Sequence, residues 1–255
     1  MKESTSTTSA VTSTATIVTS TVTNESAYTV YKTNQTDLAG YEVVPSFANS
    51  NYTLMSVSAS WIVTEVNCSG VPPNQEEDAA AMWVGIGDYK TNDLEQIGTG
   101  SACIGTRPDY SAWYEFFPAI SIYIGTVNAG DVIDARVSYT PSSGGANFTL
   151  SLSDQTEGWS KNYSGSGGGT YVADWAVERQ GNGISPLANF GVFNFTNCRM
   201  TVTDPSGALL STPIDYHDYV IQATLVSKDY TRTLASVSWL SQRGTAFAVT
   251  WENSQ

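Results

Sequence analysis

The chain has 255 residues, enough for one large domain or two small ones, so length alone forces no boundary. Charged residues make up only 14% of it, 24 Asp and Glu against 11 Lys and Arg with a single His, for a net charge of −13. That balance excludes a nucleic-acid binder, which needs clustered cations to displace phosphate counterions. With every carboxylate protonated the charge would reach only about +12. Self-repulsion in acid therefore stays modest, and the composition suits an acidic exterior.

Of the first 26 residues, fifteen are Ser or Thr. Such a segment cannot bury enough apolar surface to fold alone, which predicts a linker or glycosylated extension over 1–26. Its Thr/Val alternation also has high β-propensity, so self-association by donating a strand to a neighbouring sheet edge is the alternative. The start Met1-Lys2-Glu3-Ser4 has no apolar signal core, and no run of about 18 apolar residues marks a membrane helix.

From about residue 27 to 255 the pattern is short β segments. Ser56 to Val63, Val132 to Tyr139, Phe148 to Leu152 and Ala246 to Trp251 alternate or are rich in β-branched and aromatic residues. Runs such as Pro141-Ser142-Ser143-Gly144-Gly145 and Ser164 to Gly169 punctuate them, and no stretch sustains a helical period for three turns. The expected fold is all-β, two packed antiparallel sheets in one domain.

Seven Asn-x-Ser/Thr triplets begin at Asn24, Asn34, Asn51, Asn67, Asn147, Asn162 and Asn194. Chance would place roughly four, so the excess points to a glycosylated protein, secreted or at the cell surface. Cys68, Cys103 and Cys198 allow at most one intramolecular disulfide. They form no Cys-x-x-Cys, and with one histidine no metal site is expected.

His217 is the only residue that a Ser-His-Asp or Cys-His mechanism could use. It lies between Asp215-Tyr216 and Asp218-Tyr219, with no Gly-x-Ser-x-Gly elbow in the chain, and is read as a surface histidine. No phosphate-cradling loop or other cofactor motif occurs. What remains is carboxylate and amide chemistry, concentrated in Trp83 to Asp88, Asp93 to Thr99, Tyr110 to Pro118 and Ala173 to Arg179. Each of these alone would pass for a sandwich strand with one face in water.

In this order, the segments resemble the glutamic peptidases, the eqolisin family of secreted, acid-acting endopeptidases. The resemblance covers about residues 35 to 255. It runs through Leu38-Ala39-Gly40-Tyr41, Trp83-Val84-Gly85-Ile86, Glu95-Gln96-Ile97-Gly98-Thr99 and Ala112-Trp113-Tyr114-Glu115. It continues through Ala173-Asp174-Trp175 with Val177-Glu178-Arg179, Leu187 to Gly191, Phe195 to Cys198 and Ala246 to Trp251.

The resemblance implies two bent antiparallel sheets in a concanavalin- or lectin-like sandwich, whose concave face holds an extended polypeptide substrate. It implies a Gln and a Glu on neighbouring strands as catalytic groups and no cofactor. A carboxylate can take a water proton and return it to the leaving amine. A fixed amide N–H aimed at the oxyanion can contribute about 3 kcal/mol.

Gln96 matches the catalytic Gln, and Asp174 stands where the family has Glu. The shorter side chain sets its carboxyl back by about 1 Å, a displacement that can cost about a hundredfold in rate. Glu178, four residues on, lies about 13 Å further along an extended strand. Glu115 matches a family carboxylate near the catalytic one, and two readings stand for it: a supporting acid held by its neighbours, or a partner sharing a proton with Asp174.

Trp83 and Trp113 match aromatics lining the cleft, with Asp88 beside them where Gly87-Asp88 replaces the usual Asp-Gly. Leu38 replaces a usual Trp, and Ser111 stands where some members carry an active-site Asp. Cys68 and Cys103 match the family's disulfide. The expected function is an acid-acting endopeptidase; the alternative is a catalytically inactive relative serving as a binding module or a surface or filament subunit.

Overall fold

The computed structural model describes residues 16–18, 30–45, 52–71, 77–142, 145–183, 185–216 and 219–255. His217, Asn24, Asn51 and most of the predicted extension over 1–26 lie outside them. Seventeen strands run through the described residues: β1 (Thr16–Val18), β2 (Val30–Gln35), β3 (Leu38–Val43), β4 (Thr53–Ile62), β5 (Asp78–Asp88), β6 (Asp93–Ile104), β7 (Arg107–Phe117), β8 (Ile122–Thr126), β9 (Val132–Ser142), β10 (Gly145–Asp154), β11 (Trp159–Gly167), β12 (Val172–Arg179), β13 (Val192–Thr203), β14 (Leu209–Thr212), β15 (Val220–Val226), β16 (Thr233–Val237) and β17 (Phe247–Trp251).

The protein is all-β, as the punctuated pattern predicts, and the strands form two layers. One has the order β1-β2-β15-β3-β12-β5-β6-β7-β8. The other has the order β14-β13-β4-β9-β10-β11. Strand β13 joins them, pairing with β17 through Val192 to Phe195 and with β4 from Thr196 onward. The pairing is antiparallel throughout these layers except between β2 and β15, which run parallel. Residues 16–18 of the predicted extension pair with β2 of the same chain.

Alternation along the strands decides which side chains enter the core. On β12, Ala173, Trp175 and Val177 point between the layers, and on β5 Ala80, Met82, Val84 and Ile86 join them. Both layers feed the same apolar cluster, which also takes Trp61, Phe193, Phe195 and Phe247. The large polar-tipped aromatics in it are satisfied: Trp175 Nε1 donates to the Ser58 carbonyl at 2.9 Å and Trp61 Nε1 to Thr99 Oγ1 at 3.1 Å. These two bonds tie one layer to the other across the core.

Cys68 and Cys103 form a disulfide, pinning the segment after β4 to the end of β6. Cys198 is a buried free thiol whose pKa is pushed up by that burial. At the other side, Tyr163 of β11 stacks on Tyr114 of β7 at 4.0 Å, and Lys161 Nζ donates to the Ile124 carbonyl of β8. The two layers are thereby closed along this edge, leaving the opposite face of β3, β12, β5, β6 and β7 to form a cleft.

Candidate active site

The residues of these five strands that do not enter the core line a cleft of about 780 Å³. Its centre is a single cross-strand row. Glu42 of β3 pairs with Asp174 of β12, Asp174 with Gly85 of β5, Gly85 with Gln96 of β6, and Gln96 with Glu115 of β7. Because register neighbours share a face, four polar side chains are presented to the cleft in line, with a glycine in the middle. The backbones carrying Asp174 and Gln96 are two strand spacings apart, about 10 Å. A side chain at position 85 would occupy the space between their functional groups.

Trp83 fills the floor beside that gap. It is 2% exposed, packing with Ala81 and Ala176, and Leu38, Leu94 and Trp113 lie against this small cluster on the cleft side. Two glycines make room for it. A Cβ at Gly85 would come within 2.9 Å of the Trp83 ring, and one at Gly98 would lie 2.0 Å from the Met82 carbonyl and 2.7 Å from Trp83 Cβ. The indole Nε1 donates to Glu178 Oε2 at 3.0 Å. Glu178 is pushed up to about 7, chiefly by burial and then by the charge of Asp37, although the Trp83 bond draws it back.

At the β7 end, Gln96 is 4% exposed and its Nε2 donates to Glu115 Oε2 at 2.5 Å. This bond fixes which way the amide faces, since only the nitrogen end can donate to a carboxylate. The second hydrogen on Nε2 remains for another acceptor. Burial raises the Glu115 pKa and the Gln96 bond lowers it. At the β3 end, Asp174 is 7% exposed and its carboxyl is held well above the ordinary range, by burial first and then by the charge of Glu42.

The carboxyl beside Asp174 is therefore Glu42, and Glu115 does not share a proton with Asp174. The reason is geometric: β5 and β6 stand between β12 and β7, placing Asp174 and Glu115 three strand spacings apart, about 14 Å. Glu42 accepts from Gln35 Nε2 at 2.6 Å and from the Tyr89 hydroxyl at 2.5 Å. Sequence reading passed over Glu42, Gln35 and Tyr89. The alternation of Leu38 to Val43 does show Glu42 on the face opposite Ala39, Tyr41 and Val43, but it carries no information about which strand lies alongside.

Ser111 lines the cleft opposite Gly100, with its Oγ 3.0 Å from where a Gly100 Cβ would sit. Asp88 caps the turn after β5 by accepting from the Lys90 N–H at 2.8 Å, and it lies at the rim. Among the described residues no group of His, Cys, Asp and Glu is arranged to hold a metal ion. Chemically, the row offers a carboxyl pair and an oriented amide on either side of an open space.

The sequence profile of the peptidase A4 family matches residues 46–239. None of the curated proteins matches the chain in sequence. Among solved structures, scytalido-glutamic peptidase with a peptide-based transition-state analog superposes with a TM-score of 0.62 at 22% identity, over 85% of this chain and 98% of that one. SCP-B, a member of the eqolisin family in complex with the tripeptide Ala-Ile-His, gives 0.61 at 21% identity over the same shares of the two chains. Aspergilloglutamic peptidase from Aspergillus niger gives 0.52 at 23% identity, over 69% of this chain and 99% of that one. These similarities show the fold, a bent eqolisin β-sandwich.

Proposed function

The chain belongs to the peptidase A4 family, the glutamic peptidases, and we propose that it is an exported endopeptidase that hydrolyses extended polypeptides in a weakly acidic medium. The observation carrying this reading is the row in which Asp174 and Gln96 flank side-chain-free Gly85 on the cleft. A scissile carbonyl above Gly85 places its oxygen toward the Gln96 amide and its attacking water toward Asp174. The water oxygen bonds the carbonyl carbon, the displaced π pair moves to oxygen, and the free hydrogen on Gln96 Nε2 meets that charge. The water proton passes to the carboxyl side and returns to the amine nitrogen as the C–N bond breaks.

Trp83, Trp113 and Leu38 offer an apolar wall for substrate side chains, and Asp88, Ser111 and Glu178 offer polar contacts along the cleft. The raised carboxyls favour mild over strong acid, because the carboxyl side must carry a negative charge to accept a proton. Export is supported by the Cys68–Cys103 disulfide and by the exposure of Asn34, Asn67, Asn147, Asn162 and Asn194.

The test is digestion of a denatured protein across about pH 3 to 7 by the natural chain and by Gln96→Ala and Asp174→Asn. Cleavage by the natural chain and its loss in both variants is expected; no cleavage at any pH by the folded natural chain would end the reading. A second reading keeps the groove for binding without turnover, and the short side chain at 174 favours it. It predicts saturable peptide binding with the peptide recovered intact.

A further inference from the structure

Glu42 is a residue that the matched family segment, 46–239, does not reach. It is 7% exposed, as is Asp174, and the two face each other in register on adjacent antiparallel strands. Directly opposed residues bring their Cβ atoms to about 5 Å. Two ionised carboxylates that close and that buried repel strongly, so the pair tends to hold one proton between them.

The two ends of the pair differ. Both oxygens of Glu42 accept hydrogen bonds, one from Gln35 and one from Tyr89, and such donors favour the ionised form. No comparable donor among the described residues acts on Asp174. Burial raises Glu42, with Tyr89 and Gln35 drawing it back, whereas burial and then the Glu42 charge both raise Asp174. The other groups facing the pair are Asp37 and the hydroxyl of Tyr219, both acting on or through Glu42. Strand β15 presents Ile221 opposite Glu42, and among the described residues no Lys or Arg lines the cleft.

We propose that Glu42 and Asp174 work as one carboxyl pair sharing a single proton, with Asp174 facing the attacking water and Glu42 acting as a relay behind it. This rests on the hydrolytic reading above. In the resting pair Asp174 is protonated and Glu42 ionised. As the water oxygen bonds the carbonyl carbon, one Asp174 oxygen takes the water proton while the other passes its own proton to Glu42. When the C–N bond breaks, Asp174 gives a proton to the amine nitrogen and recovers one from Glu42. The pair ends as it began, singly charged. Glu42 acts only through Asp174 and is a positioning residue; a shared proton also explains how an Asp, one methylene short, can serve, since the relay needs proximity to Glu42 as much as reach toward substrate.

The measurement is the pH profile of kcat and KM for a peptide substrate, with the carboxyl infrared spectrum of the same proteins. The wild type should give a bell, rising as Glu42 ionises and falling as Asp174 does. Glu42→Gln should lower kcat about tenfold or more, leave KM within about twofold, and reduce the bell to a single ionisation. Tyr89→Phe, at an exposed ring, keeps the packing and should move the acid limb to higher pH by removing a donor to Glu42. In the infrared, the difference between the wild type and Asp174→Asn, in which the raised Glu95 and Glu178 cancel, should contain a protonated-carboxyl band that persists toward neutral pH, and in Glu42→Gln that band should titrate at lower pH.

Unchanged profiles in both Glu42→Gln and Tyr89→Phe would overturn the pair while leaving the peptidase intact, as would an infrared titration of two independent carboxyls in the ordinary range. A persistent shared-proton band in a wild type that cleaves nothing would support the pair and end the peptidase reading alone.

Discussion

At one end of the cleft row an amide meets a carboxylate, and at the other two carboxyls meet. Gln96 and Glu115 are as close in register as Asp174 and Glu42; Glu42, Asp174 and Gln96 are buried and Glu115 is half-buried. Burial raises every acid in the row. A neutral donor then answers it at Glu115, while a second acid compounds it at Asp174. The same strand geometry thus makes one end a fixed hydrogen-bond donor and the other a proton reservoir, and the chemical difference lies wholly in the partner each strand happens to receive.

The comparison breaks most completely with Asp174→Asn, which removes the proposed proton acceptor and should lower kcat about a thousandfold with the folded spectrum intact by circular dichroism. Gln96→Ala attacks the other end; losing the proposed oxyanion donor should cost about a hundred- to a thousandfold in kcat, with KM little changed.

Glu95, next to Gln96 but on the core face, sharpens the contrast as an acid given neither a side-chain donor nor a proton partner. It is fully buried, no side chain among the described residues donates to its carboxyl, and it is pushed up to about 7 by burial and then by Asp93, although the backbone N–H groups of Glu95 and Gly168 draw it back. Below its ordinary value of 4.5 both folded and unfolded chains hold the proton, so it costs nothing. As pH rises the unfolded chain releases the proton first, so stability falls through this window and the full cost is present above about pH 7. Glu95→Gln should recover about 2 kcal/mol at alkaline pH after allowing for screening, and none at pH 4, read from denaturant unfolding at both. The smallest effect belongs to Glu115→Gln: an amide can still accept from Gln96 but without charge, and about a tenfold fall in kcat is expected.

Much of the row is legible in the sequence because its parts lie on consecutive hairpins. Strands β5, β6 and β7 follow one another through short turns, so the placement of Gln96 beside Glu115 follows from local alternation and a tight connection. Gly98, Trp83 and Glu178 likewise belong to recognisable stretches, and the Cys68–Cys103 bridge agrees with the family pattern. The partner of Asp174 was not readable. Strand β3 lies more than 130 positions away in sequence and reaches β12 only through the assembled sheet. The parallel pairing of β2 with β15 was hidden for the same reason, as alternation is identical in parallel and antiparallel strands.

By itself, the sequence determined an all-β chain, which side chains share a face, and the candidate amide and carboxyl. The first two follow from a two-residue period, which is local; the amide and the carboxyl come from the resemblance to the glutamic peptidases. Only the tertiary structure decided that Glu42, bracketed by Gln35 and Tyr89, stands against Asp174 while Glu115 stands against Gln96. A carboxyl's proton affinity is set by what lies within a few ångströms of it, and across a sheet those neighbours are chosen by strand order.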